Sequence, residues 1–270
     1  MAPVMTFEFP SMRDGYAELV KYVSGGFVVN VRGHLTYEQR NVMIAITERP
    51  WDALPLAQGR NVSTAIAAAE FLQLVAGVQM PELMVKLSPF FREILDGEAF
   101  HGGYGQRTRE ALPLVVDLLR RDPYTRQAQV SLWDNFRDLH TPAARDLPCT
   151  SSLQFFIRDG RLDLDVTMRS NDIWLGVPYD FFIFGHLLHT VANVLDVPVG
   201  TYTHHARSLH LYDRDLEATT KLHPQEMQYN LPAGIGDPGM SWDIVVQIAR
   251  SYLEGKCEKE DWWTRTLSVR

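Results

Sequence analysis

The stretch SSLQFFIRDGRLDLDVTMRS, residues 151–170, constrains the fold more than any other part of the chain. Two apolar runs flank Asp159-Gly160, and the second run alternates strictly in RLDLDVTMR. An Asp-Gly pair between such runs predicts a tight β-hairpin. RQAQVSLWD at 126–134 and TYTHHARSLHLY at 201–212 read as further strands of the same sheet. Between them lies YDFFIFGHLLHTVANVLD, residues 179–196, apolar on all sides and read as a buried helix. Helical spacing also covers 12–23, 60–76, 81–96, 107–121 and 240–254, and the segment 60–76 ends at Gly77, a natural C-terminal stop. This mixture predicts an α+β architecture, a mixed sheet flanked by helices. No internal repeat, low-complexity tract or long linker interrupts it, so residues 1–270 read as a single domain.

The charge balance narrows the function classes. A net charge of −7 argues against nucleic acid as a partner. A few converging arginines can still hold a small anion on an acidic protein. No apolar run approaches the roughly 18–20 residues of a membrane span, so no membrane partner is expected. The first residues, MAPVMTFEFPSMRDGY, lack a basic-then-apolar leader. Cys149 and Cys257 are too few for a disulfide framework, and a cytoplasmic location is the simplest expectation.

Cys149 stands in DLPCTSSLQFF, after a proline and before a strand. Such a cysteine is either a small buried hydrophobe or a nucleophile. Arg169 and Ser170 at a strand end have the fork and hydroxyl that grip a phosphate. Asp172 and Asp180, either side of Gly176 and Pro178, face one pocket or belong to a solvated loop. His186 and His189 share a helix face and His204-His205 share a strand, but no further ligands stand at zinc-site spacing, so no metal is expected. GGYG and AGIGDPG are too short for dinucleotide loops, and Cys257 reads as an exposed bystander.

Taken in order, these segments resemble the thymidylate synthase family. The resemblance runs from about residue 54 to 217, with an extension back to Arg32 in VRGHLT. LPLAQGR resembles the family's strand before its first core helix, and Glu70 with FLQLVAG resembles the helix motif E-x-x-x-F-L-x-G. GGYGQR resembles the G-x-x-Y-G turn, and DPYTRQAQVSLWD the D-P-x-S-R-R-x-x-V-S-x-W-N strand. LPCTSSLQFFI resembles the P-C-H-x-x-x-Q-F nucleophile segment. MRSNDIWLGVPYD resembles Q-R-S-x-D-x-x-L-G-x-P-F-N, and SLHLYDRDLE resembles D-x-H-x-Y-x-N-H.

The resemblance implies a thymidylate synthase-like fold whose sheet packs across a homodimer. It implies a pyrimidine nucleoside monophosphate as substrate and 5,10-methylenetetrahydrofolate as co-substrate. Cys149 would add to C6 of the ring. Arg32, Arg169, Ser170 and Asn171 would hold the nucleotide, with Arg126 reaching the phosphate from the partner subunit. His210 and Tyr212 would hold the ribose. Glu70 would organise water and proton transfer, and Tyr104 would help move the proton at C5. Asp172, Gly176 and Arg60 would border the folate. Arginines near Cys149 would favour its thiolate.

The telling departure is Asp180, where thymidylate synthases carry asparagine. An amide matches uracil, which offers O4 as acceptor and N3–H as donor. Cytosine offers a 4-amino donor, and its N3 gains a proton as the nucleophile adds. A carboxylate accepts from both groups and offsets the developing charge. Against uracil it faces O4, acceptor to acceptor, a mismatch worth on the order of 10⁴ in discrimination. Asp at this position is similar to the family's deoxycytidylate hydroxymethylases. The segment Gly77–Tyr104 also lacks the W-D-E-W motif that packs on the folate during methyl formation. Met168, Gln127 and Thr150 depart from the family's glutamine, second arginine and histidine, and TRTLSVR lacks its small apolar ending. The expectation is therefore hydroxymethylation of dCMP. The alternatives are CMP, a C5-methyltransferase on dUMP or dCMP, or a silent nucleotide-binding homologue.

Overall fold

The computed structural model describes residues 4–54, 57–58, 60–141, 144–224 and 231–268. In chain order its strands are β1 (Met5–Phe9), β2 (Phe27–Val31), β3 (His34–Ile46), β4 (Ala57–Gln58), β5 (Gln129–Ser131), β6 (Thr150–Arg158), β7 (Arg161–Met168), β8 (Asn171–Asp172), β9 (Val199–Tyr212) and β10 (His223–Pro224). Its longer helices are α1 (Met12–Ser24), α2 (Thr64–Ala76), α6 (Ala111–Arg121), α8 (Val177–Leu195) and α10 (Trp242–Leu253). Shorter ones are α3 (Pro81–Leu87), α4 (Phe90–Glu93), α5 (Tyr104–Thr108), α7 (Asn135–Leu139), α9 (Asp213–Thr219) and α11 (Trp262–Leu267).

One mixed sheet runs β1-β3-β9-β7-β6-β5, with β2 joined to β3 and β8 to β9. The pairs β1–β3, β7–β9 and β8–β9 are parallel, and the rest of this sheet is antiparallel. The expected hairpin is β6–β7. Arg158 pairs with Arg161 across Asp159 (φ 49°) and Gly160 (φ 73°), the left-handed pair that a two-residue turn needs. Near its other end the register shifts: Thr150 faces Met168, yet Ser152 faces Thr167, which leaves Ser151 as an extra residue.

The core lies on one face of the sheet. Val42, Ile44, Phe155, Leu164, Val166 and Ala206 meet Phe181, Phe184 and Leu188 of α8, Phe71 and Leu72 of α2, and Tyr16 and Leu19 of α1. Residues α2 and α8 bury nearly all round, so these two helices are internal to the fold.

Several expected boundaries move. The helix expected at 81–96 breaks into α3 and α4, because Ser88 is extended (φ −154°, ψ 128°) ahead of Pro89. The helix expected at 107–121 is divided at Arg109-Glu110 into α5 and α6. The segment 60–76 becomes helical only at Thr64, where the Ser63 hydroxyl accepts from the Ile66 N–H. The strand expected at 126–134 shortens to β5, and the helix expected at 240–254 begins at Trp242. Strands β1, β2 and β3 were not anticipated. LPLAQGR lies partly outside the described residues, and its described part includes β4.

Candidate active site

Cys149 ends the loop that enters β6, and Pro148 before it is buried. It opens on a cavity of about 570 Å³. Glu70 from α2, Tyr104 from α5, Asp180 and Gly176 at the start of α8, and Asp146 line the same cavity. The four residues expected to do the chemistry, Cys149, Glu70, Tyr104 and Asp180, thus converge from four separate elements. The far wall is apolar, built from Ile66, Met84, Phe90, Phe91, Ile94 and Phe100.

Asp180 is only 8% exposed, which excludes a solvated loop at this position. Its Oδ2 accepts from Asn171 Nδ2 at 2.6 Å. Burial pushes the Asp180 carboxyl up to about 7, with the Asn171 bond opposing and the Asp172 charge adding. Burial, aided by Asp180 and Asp146, pushes Glu70 up to about 8. The Tyr104 hydroxyl oxygen accepts from the Thr150 N–H at 3.2 Å and lies 2.8 Å from the Thr150 hydroxyl. Burial holds its phenol well above the usual range.

The expected pull of an arginine on Cys149 is present but does not set the balance. Arg169 does lower the Cys149 pKa, but burial and the nearby aspartates outweigh it and push the thiol up to about 11. At neutral pH burial, more than the charges around it, therefore favours the thiol. The Arg169 Nε donates to the Pro148 carbonyl at 2.9 Å, and its guanidinium lies over the Trp133 ring at 5.2 Å. The Arg169 N–H donates to the Cys149 carbonyl at 2.9 Å, so this arginine braces the Cys149 loop.

The other expected contacts separate into two groups. Ser170, Asp172, His210 and Tyr212 lie where β7 ends and β8 runs beside β9, with Asp172 paired to His210. Arg32 sits at the exposed tip of the β2–β3 hairpin (φ 53°), whose His34 ring lies 6.1 Å from Tyr212. Arg126 is exposed on the segment before β5. Asp172 turns one oxygen into its own loop, accepting from the N–H groups of Trp174 (2.8 Å) and Leu175 (3.0 Å). Arg60 folds back on that loop, donating to the Trp174 carbonyl and lying 4.7 Å over the Trp174 ring. Asn171, expected at the nucleotide, is 2% exposed and its amide is engaged by Asp180 and His204. Its side chain pairs with Asp180 and is not part of the cavity lining.

Sequence reasoning missed Asp146, Thr150, His204 and Tyr202. Asp146 accepts from the Gly102 N–H at 3.1 Å and ties the Cys149 loop to the turn before Tyr104. Its three-residue spacing from Cys149 was the available signal. Among the described residues, no group of three His, Cys, Asp or Glu side chains has metal-site geometry, and no helix is long and apolar enough to cross a membrane.

A half-buried cysteine sharing one largely apolar cavity with two raised carboxyls, on a mixed sheet, defines an α+β protein with a candidate active-site pocket. The chain belongs to the thymidylate synthase family, whose sequence model matches residues 48–233. That family uses methylenetetrahydrofolate as co-substrate. Among curated proteins, the chain is 36% identical to a thymidylate synthase of Symbiobacterium thermophilum over 155 residues, covering 54% of this chain and 52% of that one. It is 30% identical to the deoxyuridylate hydroxymethyltransferase of Bacillus phage SP01 over 213 residues, 73% of this chain and 55% of that one. It is also 30% identical to a thymidylate synthase of Listeria monocytogenes over 149 residues, 49% of this chain and 46% of that one. The chain spans about half the length of these relatives.

Proposed function

We propose that the protein is a folate-dependent C5-hydroxymethyltransferase acting on a cytosine 5′-monophosphate, dCMP before CMP. The observation that carries this reading is the buried carboxyl of Asp180 in the same cavity as Cys149 and Glu70. Cys149 adds to C6, which makes C5 a carbon nucleophile. Asp180 accepts from the 4-amino group and from N3 as N3 gains its proton. Glu70 carries a proton near neutrality and passes it to or from the ring through water. Tyr104 stands beside Thr150 and Cys149 to relay the proton that leaves C5.

The cavity's predominantly apolar lining suits a flat ring system. Phe90, Phe91 and Phe100 would pack on the folate, with Gly176, Asp172 and Arg60 along its border. The bound folate supplies a one-carbon unit for transfer to C5, and water completes the hydroxymethyl group. The nucleotide's phosphate falls to Arg169, Ser170 and Arg32. Arg126 reaches it from a second copy, whose sheet packs on the half-exposed face that includes Met43, Thr203 and Thr167.

A second reading is dUMP as substrate. With a carboxyl near 7, a protonated Asp180 donates to O4 as an amide does, and the phage relative is named for deoxyuridylate. Purified protein with methylenetetrahydrofolate and dCMP, CMP, dUMP or UMP decides the matter by tritium release from C5 and product mass. Release from dCMP with one added oxygen relative to methyl supports the proposal. Release from dUMP alone overturns the cytosine assignment, and a mass without the extra oxygen makes the protein a methyltransferase. Cys149→Ser is expected to abolish release; unaltered activity would remove Cys149 as nucleophile and revive the silent homologue.

A further inference from the structure

Behind Asp180 the buried polar groups form a chain with one direction. The Tyr202 hydroxyl lies 2.7 Å from His204 Nδ1, His204 Nε2 lies 2.8 Å from Asn171 Oδ1, and Asn171 Nδ2 lies 2.6 Å from Asp180 Oδ2. Tyr202 and His204 are fully buried and Asn171 is nearly so. Burial holds the Tyr202 phenol well above its usual range, so it keeps its proton and donates. Burial pushes His204 down to about 3, so its ring is neutral with one N–H. Since Nδ1 accepts from Tyr202, that hydrogen is on Nε2 and goes to Asn171 Oδ1. The amide nitrogen of Asn171 is thereby turned to Asp180.

Every hydrogen in the chain points toward Asp180. Its Oδ2 is fixed as an acceptor, while Oδ1 has no hydrogen bond to protein among the described residues. Neighbours keep the chain in place. The Phe181 ring lies 4.6 Å from the His204 ring. A side chain at Gly176 would put its Cβ 3.2 Å from both Asn171 Nδ2 and Asp180 Oδ2, so it would press on their contact by a few tenths of an ångström. Tyr202, His204 and Asn171 lie on β9 and β8, at the edge of the expected nucleotide contacts, yet none of them lines the cavity.

We propose that Asn171, His204 and Tyr202 are positioning residues that hold Asp180 Oδ2 as an acceptor and present Oδ1 to the pyrimidine edge, and so set the preference between cytosine and uracil. With Oδ1 unprotonated, Asp180 offers two acceptors and reads the 4-amino group with protonated N3. With Oδ1 protonated, it offers a donor for O4 and reads uracil. The Asn171 amide favours the unprotonated form by donating to it. The inference rests on the reading of Asp180 as the base selector. The titratable groups facing Asp180 are Glu70 on α2, Tyr104 on α5, Cys149 before β6, Asp172 on β8 and Tyr202 on β9. All except Tyr202 lie outside the relay and are unchanged in its variants.

The test compares the wild type with Asn171→Ala, His204→Phe and His204→Gln, using dCMP and dUMP with methylenetetrahydrofolate across pH 5–9. In Asn171→Ala the ratio of kcat/KM for dCMP to that for dUMP is expected to fall at least ~10-fold at pH 7, with the acidic limb for dCMP moved up by about one unit. His204→Phe is expected to move both in the same direction by less, and His204→Gln, whose amide still donates, to restore most of the ratio. Equal losses on both nucleotides with an unmoved limb would overturn the proposal. A second measurement does not depend on turnover. In the nucleotide-free protein, ¹⁵N resonances should show His204 as the Nε2–H tautomer, and the ¹³C titration of Asp180 should move up in Asn171→Ala. An Nδ1–H tautomer or an unmoved titration overturns the relay, even where wild type turns over neither nucleotide. Absence of turnover with the expected resonances overturns the reading of the base selector and leaves the relay standing.

Discussion

Asp138 and Asp180 are both aspartates shielded from water, and their carboxyls sit on opposite sides of the ordinary range. Burial would raise Asp138, but Arg107, the Asp134 N–H and His101 all donate to it and hold it at about 2. Arg107 grips it bidentately, Nη2 to Oδ1 at 2.7 Å and Nη1 to Oδ2 at 2.9 Å. Asp180 has one neutral amide instead and sits at about 7. The first carboxylate rivets the turn around Tyr104 to the segment after β5, since Arg107 also donates to the carbonyls of His101 and Leu132. The second is left short of partners. A ligand that brings donors would complete it, which fits the proposed role of Asp180 as a binding carboxyl.

The sharpest way to break this comparison is base preference. Asp180→Asn is expected to shift the dCMP-to-dUMP ratio of kcat/KM toward dUMP by on the order of 10²–10⁴, while Asp138→Asn leaves the ratio unchanged. An unmoved ratio in Asp180→Asn removes it as the selector. Next in size is stability. Asp138→Asn leaves Arg107 buried with its charge uncompensated, and urea unfolding should show a loss of about 3–5 kcal/mol. Asp180→Asn should show no loss, or a gain on the order of 1 kcal/mol at pH 8. Comparable losses would erase the distinction between rivet and binding group.

The pH dependence of stability has opposite signs in the two places. Asp138 is lowered in the fold, so its contribution is full above the unfolded value of 3.8 and is lost as pH falls toward about 2. Asp180 and Glu70 are raised to about 7 and about 8, so the nucleotide-free fold weakens as pH climbs from about 4 through those values. The gap between wild type and an Asp180→Asn, Glu70→Gln double variant should therefore widen from pH 5 to pH 8 in urea titrations. A constant gap contradicts it. The smallest effect is on Cys149. Its thiol sits at about 11 partly because of Asp180, so Asp180→Asn should lower the pKa of its alkylation profile by less than about one unit.

Local chemistry was what the sequence made legible. The Asp159-Gly160 turn carries its own backbone requirement, and the α2 stop at Gly77 likewise (φ 65°). Strand β3 was hidden because HLTYEQRNVMIAI puts apolar Met43 and Ala45 between the buried Val42, Ile44 and Ile46, which blurs the alternation. The break at Ser88-Pro89 was open to view, since proline constrains its predecessor. In the site, Cys149, Glu70, Tyr104 and Asp180 were legible by their motifs and do meet in one cavity. The support of Asp180 was not. His204 and Asn171 stand 33 residues apart and meet only because β8 pairs beside β9. On sequence, His204 stands out only as one of several histidines without zinc-site spacing.

Ser151, the extra residue in β6, also has a meaning for how the chain tolerates change. Thr150 and Leu153 both face the interior although they are three positions apart, an odd interval no uniform strand allows. The bulge acts as a phase shift between two rhythms. Downstream, β6 keeps time with the hydrophobic core; upstream, Pro148 and Cys149 keep time with the cavity. Removing Ser151 would restore a regular beat and draw Cys149 along the strand by about 3.4 Å, a fold preserved with its cysteine out of step with the cavity.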